Sequence, residues 1–168
     1  NFTLYRMLKN EGYCFIETQL FLVRKLKLEF SNKRMLEFSE QRIISEKVNS
    51  IQQMKNEIFN MFDADMFVTD RIYLDSHFDK KTCEKRYKNW LISSFYKNEL
   101  YKLIYEGDIV GFHFGNFGDV LYTGLLAGIF SKYKNLGLGI AVIQKPVSEA
   151  IKRGIRVFKT KISLNNVD

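Results

Sequence analysis

The sequence element best suited to chemistry is Lys134-Asn135-Leu136-Gly137-Leu138-Gly139, a Gly-x-Gly set between two apolar segments. Residues 120–129 are apolar and β-prone, while residues 140–153 carry apolar side chains near helical spacing and precede Gly154, placed as a C-terminal cap. The spacing predicts strand, tight loop, helix. At a helix start several backbone N–H groups lack intrahelical partners and the macrodipole is positive, so a pyrophosphate is stabilised there, and glycines let it approach the backbone. The same glycines also serve a tight strand-to-helix turn, so their spacing alone leaves both readings open.

The elements that must hold this loop follow from composition and periodicity. With 168 residues, 46% hydrophobic and 27% charged, the chain suits one domain with a real core. Aromatic content is 15% and proline occurs once, which points to continuous secondary structure and bulky core side chains. No apolar run approaches the roughly 20 residues of a membrane span, and no signal-peptide pattern opens the chain, so a cytoplasmic protein is expected. Cys14 and Cys83 lack metal-ligand spacing and sit among apolar residues, so both are expected as buried free thiols, with no metal site. A net charge of +7 and a pI near 9.3 allow an anionic partner, but the lysines are dispersed and read as solvated surface.

Along the chain, Phe2, Leu4, Tyr5 and Leu8 predict a short helix stopped near Gly12, followed by a half-buried strand ending in Leu26, Leu28 and Phe30. Residues 31–40 are polar and read as a connection. A strand over 42–47 leads to Asn49, expected as an N-cap with Gln52 three positions on, and then to a helical face of Ile51, Met54, Ile58, Met61 and Phe62. Residues 63–78 read as an acidic, aromatic loop. A helix over 80–96 turns Cys83, Tyr87, Trp90, Leu91 and Phe95 inward, and Glu106-Gly107-Asp108 joins two strands as a hairpin. A third strand, the glycine loop, its helix and a last strand over 157–164 complete the order. That order excludes two phosphate-binding motifs. A dinucleotide fingerprint follows the first strand of a βαβ unit and needs a third glycine where Val142 stands, and a Walker loop needs Gly-Lys-Ser or Gly-Lys-Thr.

Over residues 41–168 the chain resembles the GNAT superfamily of acyl-CoA-dependent N-acyltransferases. The family's loop pattern is Arg or Gln, two residues, Gly, any residue, then Gly or Ala, and Lys134, Gly137 and Gly139 fall on it with Tyr133 in the usual aromatic place. Lys134 departs from Arg or Gln, but the coordinating groups are main-chain amides. Ser163-Leu164-Asn165-Asn166 is similar to the Asn-containing end of the family's next strand. Phe67-Val68-Thr69-Asp70-Arg71, Leu74-Asp75 and Arg86-Tyr87-Lys88-Asn89-Trp90-Leu91 resemble the branch that acetylates nucleotide-linked amino sugars, of the TDP-fucosamine acetyltransferase type. Tyr87 and Trp90 also read as core packing on an inward helix face.

The resemblance implies a mixed α+β fold with a central, mostly antiparallel sheet flanked by helices. A partial N-terminal unit and connection occupy 1–40, and an acetyltransferase domain, expected to be truncated at its C-terminus, occupies 41–168. It implies acetyl-CoA as co-substrate, held by the pantetheine-pairing strand at Ala127, Gly128 and Ile129, by Lys134, Asn135, Leu136, Gly137, Leu138, Gly139 and Ile140 around the pyrophosphate, and by Asn165. The acceptor is a small-molecule amine, with an amino sugar on a nucleotide favoured; no nucleic acid and no membrane span are expected, and a homodimer is compatible. Tyr122 and Asn166 are the catalytic candidates, with Asp119 and His113 as further bases, while the family's usual tyrosine acid is expected beyond Asp168. Pro146 should kink the helix after the loop by removing the N–H that Val142 would accept. A basic nucleic-acid-binding module and a non-catalytic CoA-binding scaffold remain as alternatives.

Overall fold

A computed structural model describes residues 2–26 and 33–164. The order is α1 (Phe2–Asn10), β1 (Gln19–Lys25), α2 (Lys33–Arg42), β2 (Ile43–Lys47), α3 (Ile51–Glu57), α4 (Arg71–Leu74), α5 (Lys80–Ser94), β3 (Glu99–Tyr105), β4 (Asp108–Phe117), β5 (Leu121–Ile129), α6 (Ala141–Lys152) and β6 (Val157–Ser163). The strands form one six-stranded sheet in the order β1-β6-β5-β4-β3-β2, antiparallel throughout except where β5 and β6 run parallel. The mixed α+β architecture expected from the sequence is therefore the one observed.

Alternation along the central strands sends side chains to two apolar layers. Leu100, Phe112 and Phe114 pack with Met54 and Ile58 from the α3 region and Leu91 of α5. On the opposite face, Leu103 and Val110 meet Leu138 and Ala141, and Tyr122 and Phe158 meet Val147 and Ala150 of α6. The hairpin between β3 and β4 turns through Glu106 and Gly107, with φ of 51° and 88°, the left-handed pair a two-residue hairpin requires.

Several local expectations shift. The polar stretch 33–42 is helix α2, lying against β2 and α6 rather than serving as a bare connection. The N-cap of α3 is Ser50, whose hydroxyl oxygen accepts the Gln53 N–H at 3.0 Å, one residue beyond Asn49. The stretch 63–78 is not open loop, since Asp63 and Asp70 cap a 3₁₀ turn at Ala64–Phe67 and helix α4. Strand β1 is exposed on every residue rather than half-buried, and the expected alternation at Leu28 and Phe30 lies outside the described residues. Cys14 is exposed, so only Cys83 is a buried thiol. Pro146, expected inside the helix after the loop, lies within α6.

On the α6 side a charge cluster ties the helix to the sheet. Arg153 donates to both oxygens of Glu99 at 2.8 and 3.1 Å and to Glu149 at 2.7 Å, while Lys47 pairs with Glu99 at 2.9 Å. The Arg153 guanidinium, helped by Lys47 and the Tyr101 hydroxyl and opposed by burial, holds the Glu99 carboxyl at about 2, below its ordinary 4.5. A carboxyl whose folded value is depressed stabilises the fold above its unfolded value, and that stabilisation is lost as pH falls through the window from 4.5 towards 2. Glu99→Gln should therefore flatten the fall in stability across that window, as followed by chemical denaturation at stepped pH. An unchanged pH slope would show that Glu99 carries no such linkage.

Candidate active site

β5 and β6 pair over three positions only, Leu121↔Val157, Tyr122↔Phe158 and Thr123↔Lys159. Beyond them each strand keeps its other neighbour: β5 stays on β4 through Gly124↔Gly115 to Ile129↔Gly111, and β6 stays on β1 through Thr160↔Leu22 to Ser163↔Gln19. The two strands diverge. A bulge contributes, since the β4–β5 register passes from Gly124↔Gly115 to Leu126↔Phe114 and leaves Leu125 as the extra residue on β5. Bulges bend the strand and increase its twist, which swings the end of β5 away from β6. The result is a V-shaped slot, and the backbone edge of residues 124–129 faces it without a strand partner among the described residues.

The glycine loop lies at the wide end of this slot, directly after β5. Gly137 has φ of +71° and Asn135 φ of +69°, two left-handed residues that curl the chain. Such curls gather successive N–H groups into an anion-binding concavity. Among the described residues, no backbone acceptor outside its own turn meets the N–H of Asn135, Leu136, Gly137 or Leu138. The chain then makes a 3₁₀ turn at Leu138–Ile140 and enters α6, whose N-cap residue Ile140 supplies no side-chain hydrogen bond. Helix α6 thus starts at Ala141, later than the glycines imply, and the Ala141 N–H is turned back onto the Leu138 and Gly139 carbonyls. A Cβ built on Gly139 would meet no atom within 4 Å, so the space beside it is open.

Three side-chain contacts fasten the loop. Ser131 donates to the Asp63 carboxylate at 2.7 Å, Tyr133 to Asp108 at 3.0 Å, and the Lys134 ammonium to the Asp65 carbonyl at 2.7 Å. The Lys134 side chain therefore positions the loop, its ammonium held on the Asp65 carbonyl. Ala127, Gly128 and Ile129 lie on the diverging part of β5, with Met66 against Gly128: a Cβ there would stand 2.9 Å from its methyl carbon. Asn165 and Asn166 lie outside the described residues.

The acid–base candidates do not gather at the slot. Tyr122 is 1% exposed, packed between Phe117 and Phe158, with its hydroxyl over Gly115 of β4. Burial raises its pKa, and its packing makes it a core side chain rather than a proton donor at the slot. His113 is buried on the α6 face, stacked on Tyr101 at 4.8 Å, and its Nε2 lies 3.0 Å from the Ser45 hydroxyl. Burial pushes it down to about 3, so it is neutral and weakly basic at neutral pH. Asp119 is exposed in the turn before β5, away from the cradle end.

The residues 67–91 that carry the finer resemblance hold one another. Phe67 stacks on Tyr87 at 4.5 Å, the Tyr87 hydroxyl donates to Asp70 at 2.5 Å, and Cys83 and Arg86 reach the same carboxylate at 3.2 and 3.5 Å. Burial works to raise the Asp70 pKa, but these hydrogen bonds, the Ile72 N–H and the Arg86 charge bring it below the usual range. Burial and Asp70 together push the Cys83 thiol up to about 12, so it is protonated and not a nucleophile. Sequence reasoning missed the Leu125 bulge, the Lys134 tether and the left-handed Asn135. Signals for two of these existed: a lone glycine inside a strand marks a bulge, and asparagine tolerates φ above zero.

Among known structures, a GCN5-related N-acetyltransferase from Sphaerobacter thermophilus matches with a TM-score of 0.60 at 11% identity, over 99% of this chain and 49% of that one. A conserved protein of unknown function from Staphylococcus epidermidis matches with a TM-score of 0.64 at 13% identity, over 99% of this chain and 59% of that one. The chain spans about half the length of these structures, and at such identities the likeness establishes the fold, which is that of the GCN5-related N-acetyltransferases. No family model matches the sequence, and no curated protein matches it. Among the described residues no helix is long and apolar enough to cross a membrane, and no group of metal-ligating side chains occurs.

Proposed function

We propose that the chain is an acetyl-CoA-dependent N-acetyltransferase domain acting on a primary amine. The observation that carries the reading is the slot between β5 and β6, which runs from its closed end at Thr123↔Lys159 to a loop of unpaired amides at its open end. The exposed backbone edge of Ala127, Gly128 and Ile129 offers pairing for the pantetheine amides, and the main chain of Lys134, Asn135, Leu136, Gly137, Leu138, Gly139 and Ile140 receives the pyrophosphate. A neutral amine then attacks the thioester carbonyl carbon, the C–S bond breaks, the thiolate leaves with CoA, and the amine proton passes to solvent. The chain contributes chiefly by holding the reactants in line, since no strongly basic side chain lines the described part of the slot.

The acceptor we favour is an amino sugar linked to a nucleotide. Support comes from the resemblance of residues 67–71, 74–75 and 86–91, whose Asp70, Tyr87 and Arg86 side chains hold one another beside α5. The assay is acetyl transfer to a nucleotide-linked amino sugar, with a free amino sugar and a lysine peptide in parallel; preference for the lysine peptide would overturn the acceptor and keep the reaction.

Cofactor capture is tested at Gly139, because a Cβ there strikes no protein atom and so probes ligand approach rather than folding. Gly139→Val should raise the acetyl-CoA dissociation constant at least about 10-fold, or about 1.4 kcal/mol. Titration calorimetry giving unchanged affinity in a folded variant would remove the loop from the site.

A further inference from the structure

We propose that Thr160, with Gly124 opposite, closes the narrow end of the slot and limits the acyl group to acetyl. Thr160 is the first residue of β6 beyond the last β5 partner, and it stands in the vertex where the strands part. Its hydroxyl donates to the Gly124 carbonyl at 3.4 Å, and a Cβ on Gly124 would lie 3.2 Å from that hydroxyl and 3.4 Å from the Thr160 Cβ. The vertex is therefore filled by one side chain from β6, and it accommodates that side chain because position 124 carries none. Behind it, Tyr122 and Phe158 are buried against each other at 5.0 Å and seal the sheet.

Length places the acyl group at this vertex. From Ile129, beside the loop, back to Gly124 is five residues along β5, or about 17 Å of strand. The pantetheine arm between diphosphate and sulfur has about thirteen bonds, which extend to about 15 Å at the rise of a peptide chain. An arm anchored at the cradle thus brings its thioester to within an acyl group of Thr160. A methyl fits in the remaining space. A longer chain must push against a branched side chain held between two strands, and close-packed interiors do not yield cheaply to added methylenes.

This inference rests on the acetyl-CoA reading, and binding measurements separate the two without any acceptor. Calorimetry on the intact chain should show acetyl-CoA binding at least 10-fold tighter than hexanoyl-CoA. Thr160→Ala should bring the two within about threefold, mainly by strengthening hexanoyl-CoA binding. Thr160→Val, which keeps the shape and loses the hydroxyl, should retain the wild-type preference. Should Thr160→Gly or Thr160→Ala bind acetyl-CoA normally yet keep the full preference against hexanoyl-CoA, the vertex is not the length limit. Absence of acetyl-CoA binding by the unmodified chain would instead overturn the functional reading itself.

Discussion

Replacing Phe112 by alanine is expected to cost about 3–5 kcal/mol of folding stability. Phe112 is fully buried in the middle of β4, with the Phe62 ring stacked at 5.4 Å and the Phe130 ring at 6.0 Å. Truncation removes the apolar surface and leaves a cavity beside the Phe62 and Phe130 rings, which are themselves packed in the same core and fill it only in part. Native domains are stable by about 5–15 kcal/mol, so a loss of this size takes a large share. Thermal unfolding should show a midpoint lower by about 10 °C, at the few degrees per kcal/mol typical of chains this long. The comparison is Phe21→Ala, since Phe21 is 61% exposed on β1 and its loss should stay within about 0.5 kcal/mol. Equal effects at the two positions would contradict the core described for β4.

Gly111→Ala is expected to be as damaging, through the opposite defect. A Cβ on Gly111 would stand 2.4 Å from the Gly128 carbonyl oxygen and 2.9 Å from the Ile129 side chain. Backbone cannot rotate away as a flexible side chain can, so β4 and β5 must separate, displacing the β5 segment whose other edge faces the slot. The neighbouring Phe130 N–H bond to the Val110 carbonyl, 2.9 Å long, would be strained with them. We expect about 3 kcal/mol or more, the upper part of the usual overpacking range. The denaturation midpoint in urea should fall by about 1–2 M at the slopes common for small proteins. Acetyl-CoA affinity should fall with it, because residues 127–129 would be displaced. Gly139→Ala makes the matched control for stability, as its Cβ meets nothing within 4 Å and its φ is not left-handed. A folded Gly111→Ala protein with an unshifted midpoint would refute the β4–β5 register.

Much of this architecture is legible in local spacing. The Glu106-Gly107 hairpin, the Asp79-capped helix α5 and the Gly154 cap are each encoded within a few residues, by turn chemistry, side-chain capping and tolerance of positive φ. The cradle is local in the same sense, since Gly137 and the strand and helix around it are neighbours in the chain. Errors fell where two local signals compete. Asn49 and Ser50 are both good caps, and in the folded chain it is the Ser50 hydroxyl that accepts the Gln53 N–H, while the Asn49 N–H donates to the Gln53 side chain. A polar stretch such as 33–42 has no strong periodicity of its own and is helical where it lies against β2 and α6.

The sequence by itself determined the order of the strands and of helices α1, α3, α5 and α6, and the presence of a glycine loop between a strand and a helix, because propensity, capping and periodicity act over a few residues. Only the tertiary structure decided that β5 and β6 part after Thr123 and Lys159, that Tyr122 is sealed under α6, and that the Lys134 ammonium is spent on the Asp65 carbonyl. Each of these joins residues far apart in the chain. Strand pairing across such separations is settled by which faces can be buried together, a property of the whole sheet that no local pattern carries.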